Sequence, residues 1–210
     1  MRKPSYFFVV LGLLIIATTF VASAISFEGD ASYMYGVGDA KGRGFVAHAR
    51  TEVMDQIFVD GSFLSTNAAK SAEGDASEGS TLRNSLISVG GLYRPVNDSD
   101  LEVFVGAGFL RLTVHETGLD DVSGQGIYGK FGFKFLPMPQ LSIVADVSYA
   151  PKYKEKGTDN ASGHLISARA TASYEVMDGL AVQGTVKHYR ASVAPQTSDI
   201  LLGGGVTFHF

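Results

Sequence analysis

Histidines and acidic residues that could activate a nucleophile fall in two short polar segments of the chain. They are His115, Glu116, Asp120 and Asp121 in the first segment, and Asp159 and His164 in the second. A histidine paired with an acid can polarise a serine hydroxyl for attack, and neighbouring carboxylates can bind a divalent ion. Their spacing matches no catalytic motif, and polar residues are the ordinary content of exposed loops. The sequence therefore predicts no enzyme, no catalytic residue, no cofactor and no metal site.

The composition excludes several other classes of site. The chain has 210 residues, no cysteine, 25 glycines and a formal net charge of −4. Without cysteine there is no disulfide scaffold and no thiolate metal site, and the negative charge argues against a nucleic-acid partner. Glycine triplets such as Gly203-Gly204-Gly205 are not followed by a helical pattern, so they do not form a phosphate-binding loop.

The N-terminal segment has the three parts of a secretory signal peptide. Arg2 and Lys3 are followed by an apolar run, and Ala22-Ser23-Ala24 supplies small residues at a cleavage site. A single anchoring helix is the alternative. We predict a cleaved signal peptide over residues 1–24 and one mature domain over 25–210.

A repeating unit of two strands and a tight turn organises the mature chain. The segment Glu52-Val53-Met54-Asp55 is repeated as Glu175-Val176-Met177-Asp178, and similar strands open at Ile57, Leu101, Leu141 and Leu180. Period-two alternation predicts ten strands, at roughly 26–37, 43–52, 57–65, 83–94, 100–112, 125–135, 140–150, 164–175, 180–190 and 200–210. Most have the length of roughly 9–11 residues that a tilted strand needs to cross a bilayer. The predicted fold is an all-β, transmembrane, antiparallel up-and-down β-barrel.

The two faces of these strands differ in charge. One face is apolar at mid-strand, whereas the other carries acids and bases in nearly equal number. Buried charges are tolerated when paired, so we predict a charge network lining the lumen. Its members are Glu28, Asp30, His48, Arg50, Asp60, Arg94, Glu102, Lys130, Lys134, Asp146, Arg169 and Lys187. A soluble barrel with these charges in water is the alternative; the signal peptide and the aromatic residues near both strand ends favour a membrane.

The mature chain resembles the small outer-membrane β-barrel proteins of Gram-negative-type bacteria. The resemblance covers residues 25–210 and is most specific in the last strand, where Phe208 and Phe210 end an alternating pattern. It implies an outer-membrane location with lipid as surroundings, tight turns on the periplasmic side, and a C-terminal signal read by the barrel-assembly machinery. Many small members of the family have eight strands, so eight is the alternative count.

The resemblance implies no single activity, and several functions stay open. The first is a non-enzymatic barrel whose lumen is largely filled by the charge network. The second is a narrow porin-like channel for small solutes, with inward glycines leaving a water path and Asp60, Lys130, Asp146 and Arg169 near its constriction. The third is a surface adhesin or binding protein that holds its ligand through loops such as 66–82.

Overall fold

The computed structural model describes residues 26–37, 42–69, 81–116, 118, 120–155, 162–192 and 197–210. The predicted signal peptide over residues 1–24 lies outside these ranges, so its cleavage stays a prediction. Within the described residues, no helix is long and apolar enough to cross a membrane.

Ten antiparallel strands form one closed barrel in which each strand pairs with its neighbours in the sequence. This confirms the predicted fold and the count of ten. The strands are β1 Phe27–Gly36, β2 Gly42–Met54, β3 Ile57–Ala69, β4 Thr81–Asn97, β5 Leu101–Glu116, β6 Val122–Met138, β7 Leu141–Glu155, β8 Ser162–Met177, β9 Leu180–Ala191 and β10 Thr197–His209.

Several strands are longer than their alternation predicts. β4 and β5 stay paired from Asn97↔Glu102 to Leu82↔Glu116, although the pattern predicted ends near residues 83 and 112. Beyond the predicted end of β5 the side chains still alternate, but the apolar ones now point inward: Leu112 and Val114 are buried, whereas His115 is exposed. We call the end with the longer connections the loop end, and the opposite end the turn end.

The barrel closes between the first and last strands. β1 pairs with β10 from Glu28↔His209 to Gly36↔Leu201. Beyond the ladder, the amide of Phe27 donates to the carbonyl oxygen of Phe210 at 3.1 Å, and the Phe210 amide donates back at 2.9 Å. The two rings stack with centroids 6.4 Å apart. Closure leaves no unpaired strand edge, as a membrane barrel requires.

The repeated Glu-Val-Met-Asp segment forms the same turn twice. Glu52 accepts a hydrogen bond from the backbone amide of Gln56 at 3.1 Å, and Glu175 accepts one from the amide of Gly179 at 3.3 Å. Gln56 and Gly179 have φ angles of 63° and 75°, and a β-bulge precedes each turn. The repeat is therefore a structural device in which the glutamate caps a tight turn.

The outer face of the barrel is apolar and exposed. On β5 the outward residues run Leu101, Val103, Val105, Ala107 and Phe109, and Arg111 follows them. Nine residues of tilted strand match the roughly 9–11 that cross a bilayer. Exposed aromatic side chains lie near both ends of this band: Tyr93, Phe135 and Tyr174 toward the turn end, and Tyr35, Phe109 and Tyr149 toward the loop end. This arrangement is that of a surface facing lipid.

Candidate functional site

The interior of the barrel is divided into three layers along its axis. Paired charges occupy the turn end, a ring of six charged side chains occupies the middle, and apolar side chains fill the loop end. Of the twelve side chains predicted to line the lumen, eleven lie in the two charged layers. Lys187 is also buried but stands apart from them.

His48 joins two carboxylates of the middle layer. Its Nδ1 lies 3.1 Å from Oδ2 of Asp30, and its Nε2 lies 2.5 Å from Oδ2 of Asp60. An ionised carboxylate can only accept a hydrogen bond. His48 therefore bridges the two carboxylates through both of its ring nitrogens.

Lys130 and Arg169 complete the layer as a closed ring of alternating charge. Lys130 Nζ donates to both carboxylate oxygens of Asp60, at 3.0 and 3.1 Å, and lies 3.8 Å from Asp146. Arg169 donates from Nε to Asp146 at 2.9 Å and from Nη1 to Asp30 at 3.2 Å. The sequence of contacts is Asp30, His48, Asp60, Lys130, Asp146, Arg169 and back to Asp30; we call it the six-charge ring.

Two contacts of the six-charge ring cross the lumen. Asp60 on β3 meets Lys130 on β6, and Asp30 on β1 meets Arg169 on β8; neither pair of strands is adjacent in the barrel. Three carboxylates alternate with Lys130, Arg169 and the His48 imidazole. Alternation leaves no like charges in direct contact, which is the condition under which buried charges are tolerated.

Hydroxyl and amide groups extend the network on the β8 to β10 side. The Gln183 amide donates to Ser32 Oγ at 2.7 Å and accepts from Thr207 Oγ1 at 2.5 Å. A cavity of about 20 Å³ lies between these groups, the six-charge ring and Phe104. It is large enough for about one water molecule.

The turn-end cluster contains Glu28, Glu52, Glu102, Arg50, Arg94 and Lys134. Arg50 donates to Glu28 at 2.7 Å, Lys134 lies 3.5 Å from the same carboxylate, and Arg94 lies 3.7 Å from Glu102. The guanidinium groups also stack on aromatic rings: Arg94 Cζ is 4.7 Å from the Phe58 centroid. Three acids and three bases again balance, and the arginine stems pack against apolar surface.

Lys187 is the predicted lumen residue without a counter-ion. It is 4% exposed and is the cross-strand neighbour of Arg169. Among the described residues no carboxylate lies within 4 Å of its ammonium group. A buried cation without a pair costs free energy.

An apolar layer at the loop end was missed by the sequence analysis. All ten strands contribute to it. Its buried members are Met34, Val46, Leu64, Leu86, Leu110, Leu112, Val114, Tyr128, Ala150, Tyr153, Leu165, Tyr189, Ala191 and Leu201. A signal was present, because these residues share the strand parity of the lumen charges, except Tyr153, which lies beyond a register irregularity in β7.

Inward glycines make room for neighbouring side chains. A Cβ atom added at Gly108 would lie 2.8 Å from the Tyr128 ring, and one at Gly132 would lie 2.4 Å from the Phe104 ring. The space beside these glycines is therefore filled by aromatic rings. The water path that inward glycines could have left is not present at either position.

The candidates for nucleophile activation do not assemble into one site. His115 Nδ1 contacts Asp121, and both side chains are exposed. His164 lies on β8 beside Tyr149, with ring centroids 6.1 Å apart, and Asp159 is outside the described residues. No group of three or more potential metal ligands occurs in the described part of the chain.

The terminal strand presents its aromatic side chains outward. Phe208 and Phe210 are both exposed, at 39% and 77%. Phe210 is held to β1 by the backbone contacts that close the barrel. Its ring thus lies on the outer surface at the turn end.

Comparison with known proteins agrees with this architecture. The family model for the outer membrane protein beta-barrel domain matches residues 11–174. The outer membrane protease OmpT from Escherichia coli is similar in structure, with a TM-score of 0.62 and 8% identity over 90% of this chain and 98% of that chain. The Yersinia pestis outer membrane protein Ail, in a nanodisc, has a TM-score of 0.44 and 12% identity, over 88% of this chain and 99% of that chain. Neisserial surface protein A has a TM-score of 0.44 and 13% identity, over 88% of this chain and 96% of that chain.

No curated protein matches the sequence. At such low identities the likeness to OmpT concerns the fold. The family match, however, covers well over half of the chain, and the closed ten-stranded barrel with its apolar outer face agrees with it. The chain therefore belongs to the outer membrane protein beta-barrel domain family, and it is a protein of the outer membrane.

Proposed function

We propose that the protein is a non-enzymatic outer-membrane barrel with a closed lumen, which serves as a stable membrane scaffold for its loop end. The observation that carries this proposal is the six-charge ring. Its pairs Asp60–Lys130 and Asp30–Arg169 span the lumen between strands that are not neighbours. A hydrated solute could pass only if these contacts parted.

The energetic cost of such an opening is large. Breaking a buried ion pair by removing one partner costs about 3–5 kcal/mol, and the side chains of the ring are almost fully buried. The apolar layer forms a second obstruction at the loop end, where Leu64, Leu112 and Leu165 are fully buried. Two unlike layers would have to open together.

The alternative is a narrow porin-like channel for small solutes. It requires Asp60, Lys130, Asp146 and Arg169 to face water at a constriction. In the structure these four side chains are satisfied by one another and by His48 and Asp30. A ten-stranded barrel is only slightly wider than the eight-stranded size that side chains fill, so an obstructed lumen is expected.

Ion flux through reconstituted protein tests the proposal. Vesicles would carry a known amount of folded barrel, measured by its heat-modifiable migration, and a porin in matched vesicles would establish that the assay detects a channel. We expect no flux above that of empty vesicles and no single-channel steps in planar bilayers. Steady conductance steps from the natural chain would refute the closed lumen.

We also propose that the exposed His115–Asp121 pair is not catalytic. Its partners are solvent-exposed, and the similarity to a protease is limited to the fold at 8% identity. A screen of the reconstituted barrel against peptide and lipid ester substrates tests this. Turnover that His115→Ala abolishes, while the barrel stays folded, would contradict it.

Export and assembly complete the proposal. Residues 1–24 would be removed during export, and the last strand with Phe208 and Phe210 would be read by the barrel-assembly machinery. Mass spectrometry of the mature protein checks the first point. The folded fraction of a Phe208→Ala/Phe210→Ala variant in outer membranes checks the second, which an unchanged fraction would refute.

A further inference from the structure

A band of basic side chains surrounds much of the outer face at the loop end. It begins where the apolar band ends, and all of its members are exposed. They are Arg43 on β2, Arg83 on β4, Arg111 on β5, Lys152 and Lys154 on β7, and Arg190 on β9. We call this set the basic band. Among the described strand residues, no exposed aspartate or glutamate points outward at this level.

The turn end has the opposite charge. Its connections expose Asp55, Asp98, Asp100 and Asp178, and no described lysine or arginine lies in these turns. Asp120 and Asp121 are also exposed at the loop end, beyond the basic band. The contrast therefore concerns the level that borders the apolar band, where the basic band is complementary to an anionic membrane surface.

Within the basic band, one row of side chains forms a compact cationic surface. Arg111 is the cross-strand partner of Gln125, and Gln125 is the partner of Lys154. Three neighbouring strands thus present a guanidinium, an amide and an ammonium across roughly 10 Å of sheet. A register irregularity between Ala150 and Tyr153 leaves Lys152 exposed beside them.

The cations of this row have no acidic partner within the described residues. No carboxylate lies within 4 Å of Arg111, Lys152 or Lys154 there, and Asp121 contacts His115 instead. Each of these long side chains is free to turn toward a ligand at the membrane surface. That is unlike the lumen, where nearly every cation is held by an acid.

The row lies immediately above lipid-facing residues. Phe109 lies two positions before Arg111 on β5, and its cross-strand partner Ile127 lies two positions after Gln125 on the antiparallel β6. Both are exposed, Ile127 at 73%. A ligand bound by the row would therefore have its acyl chains against Phe109 and Ile127 and its polar part beside the cations.

We propose that Arg111, Gln125 and Lys154 bind the phosphate group of a lipid in the leaflet at the loop end. Arginine can hold phosphate oxygens in a bidentate manner, and lysine adds a mobile point charge. The Gln125 amide between them donates to a third oxygen. The apolar surface below selects an anchored lipid over a free anion.

Native mass spectrometry of the folded full-length barrel tests this assignment. The probes are phosphatidic acid, phosphatidylcholine and inorganic phosphate, each titrated separately in a neutral detergent. We expect phosphatidic acid to bind best and inorganic phosphate to fail to displace it. Arg111→Gln/Lys154→Gln should weaken phosphatidic acid binding by about 30-fold, the loss that two surface charges produce.

Two further variants act as controls. Arg190→Gln removes an exposed cation of the same band on the far side of β8, and it should leave the affinity close to that of the natural chain. Arg111→Lys/Lys154→Arg keeps both charges and should retain binding. All variants should keep heat-modifiable migration, because the substituted side chains are exposed.

Three results would overturn the proposal. Equal weakening by Arg190→Gln would mean that net charge alone attracts the lipid. Equal affinity for phosphatidylcholine would mean that the phosphate of an anionic headgroup is not recognised. Displacement of the lipid by inorganic phosphate at the same concentration would mean that the row holds a free anion.

Discussion

Replacing Lys130 with methionine removes one cation from the six-charge ring while nearly preserving side-chain volume. The ammonium group makes two contacts with Asp60, at 3.0 and 3.1 Å, and a longer one with Asp146 at 3.8 Å. Asp60 is 1% exposed, so water cannot replace the lost donor. After the substitution Asp60 retains only His48, and the ring has lost one of its cations.

We expect Lys130→Met to lower the free energy of unfolding by about 3–5 kcal/mol, the cost of leaving a buried charge without its partner. Lys187→Met is the matched control. It removes an equally buried lysine that has no ion pair within 4 Å among the described residues. That substitution should leave stability unchanged or raise it, because it eliminates an uncompensated desolvation cost.

Urea titration of the barrel in lipid vesicles gives both values, with the folded fraction followed by heat-modifiable migration. A double-mutant cycle with Asp60→Asn isolates the pair energy, and we expect a coupling above about 1 kcal/mol. The reasoning fails if Lys130→Met costs less than Lys187→Met, or if the cycle shows no coupling. Either result would mean that the six-charge ring does not hold the lumen closed.

Two further predictions concern backbone positions. Gln56 and Gly179 occupy equivalent turns with positive φ. Gln56→Gly should therefore stabilise the barrel by about 1 kcal/mol, and Gly179→Ala should destabilise it by a similar amount. Urea midpoints of the two variants that shift in the same direction would contradict this. Gly132→Ala should cost about 1–3 kcal/mol through overpacking, because its Cβ would lie 2.4 Å from Phe104. Gly184→Ala, with nothing within 4 Å of the added atom, is its control, and equal losses of stability in the two variants would refute the packing argument.

The layered interior explains how charged residues are accommodated inside a membrane barrel. In both charged layers, acidic side chains are paired with basic ones. The apolar layer at the loop end packs leucine and tyrosine side chains as a soluble protein core does. Within it, the Tyr189 hydroxyl donates to Asp199 at 2.5 Å and accepts from the Asn84 amide at 2.9 Å.

Local chemistry was sufficient to predict the architecture. Alternation of apolar and polar residues predicts strands because side chains on a strand point to opposite faces in turn. The repeated Glu-Val-Met-Asp segments predicted tight turns, and the structure shows the Glu52 and Glu175 side chains capping them. The ends of β4 and β5 were less predictable, because the apolar face changes sides there: Leu112 and Val114 are buried inside the barrel, whereas His115 is exposed.

Parity along each strand assigned Asp60, Lys130 and Arg169 to one face from the sequence alone, and the signal peptide and aromatic residues favoured that face as the lumen. It did not determine which of these side chains meet. Asp60 and Lys130 are 70 positions apart, and Asp30 and Arg169 are 139 apart; only closure of the sheet and its stagger bring them together across the lumen. Tertiary structure likewise decided that apolar side chains fill the lumen at the loop end, because the layer needs side chains from all ten strands to meet at one level of the barrel.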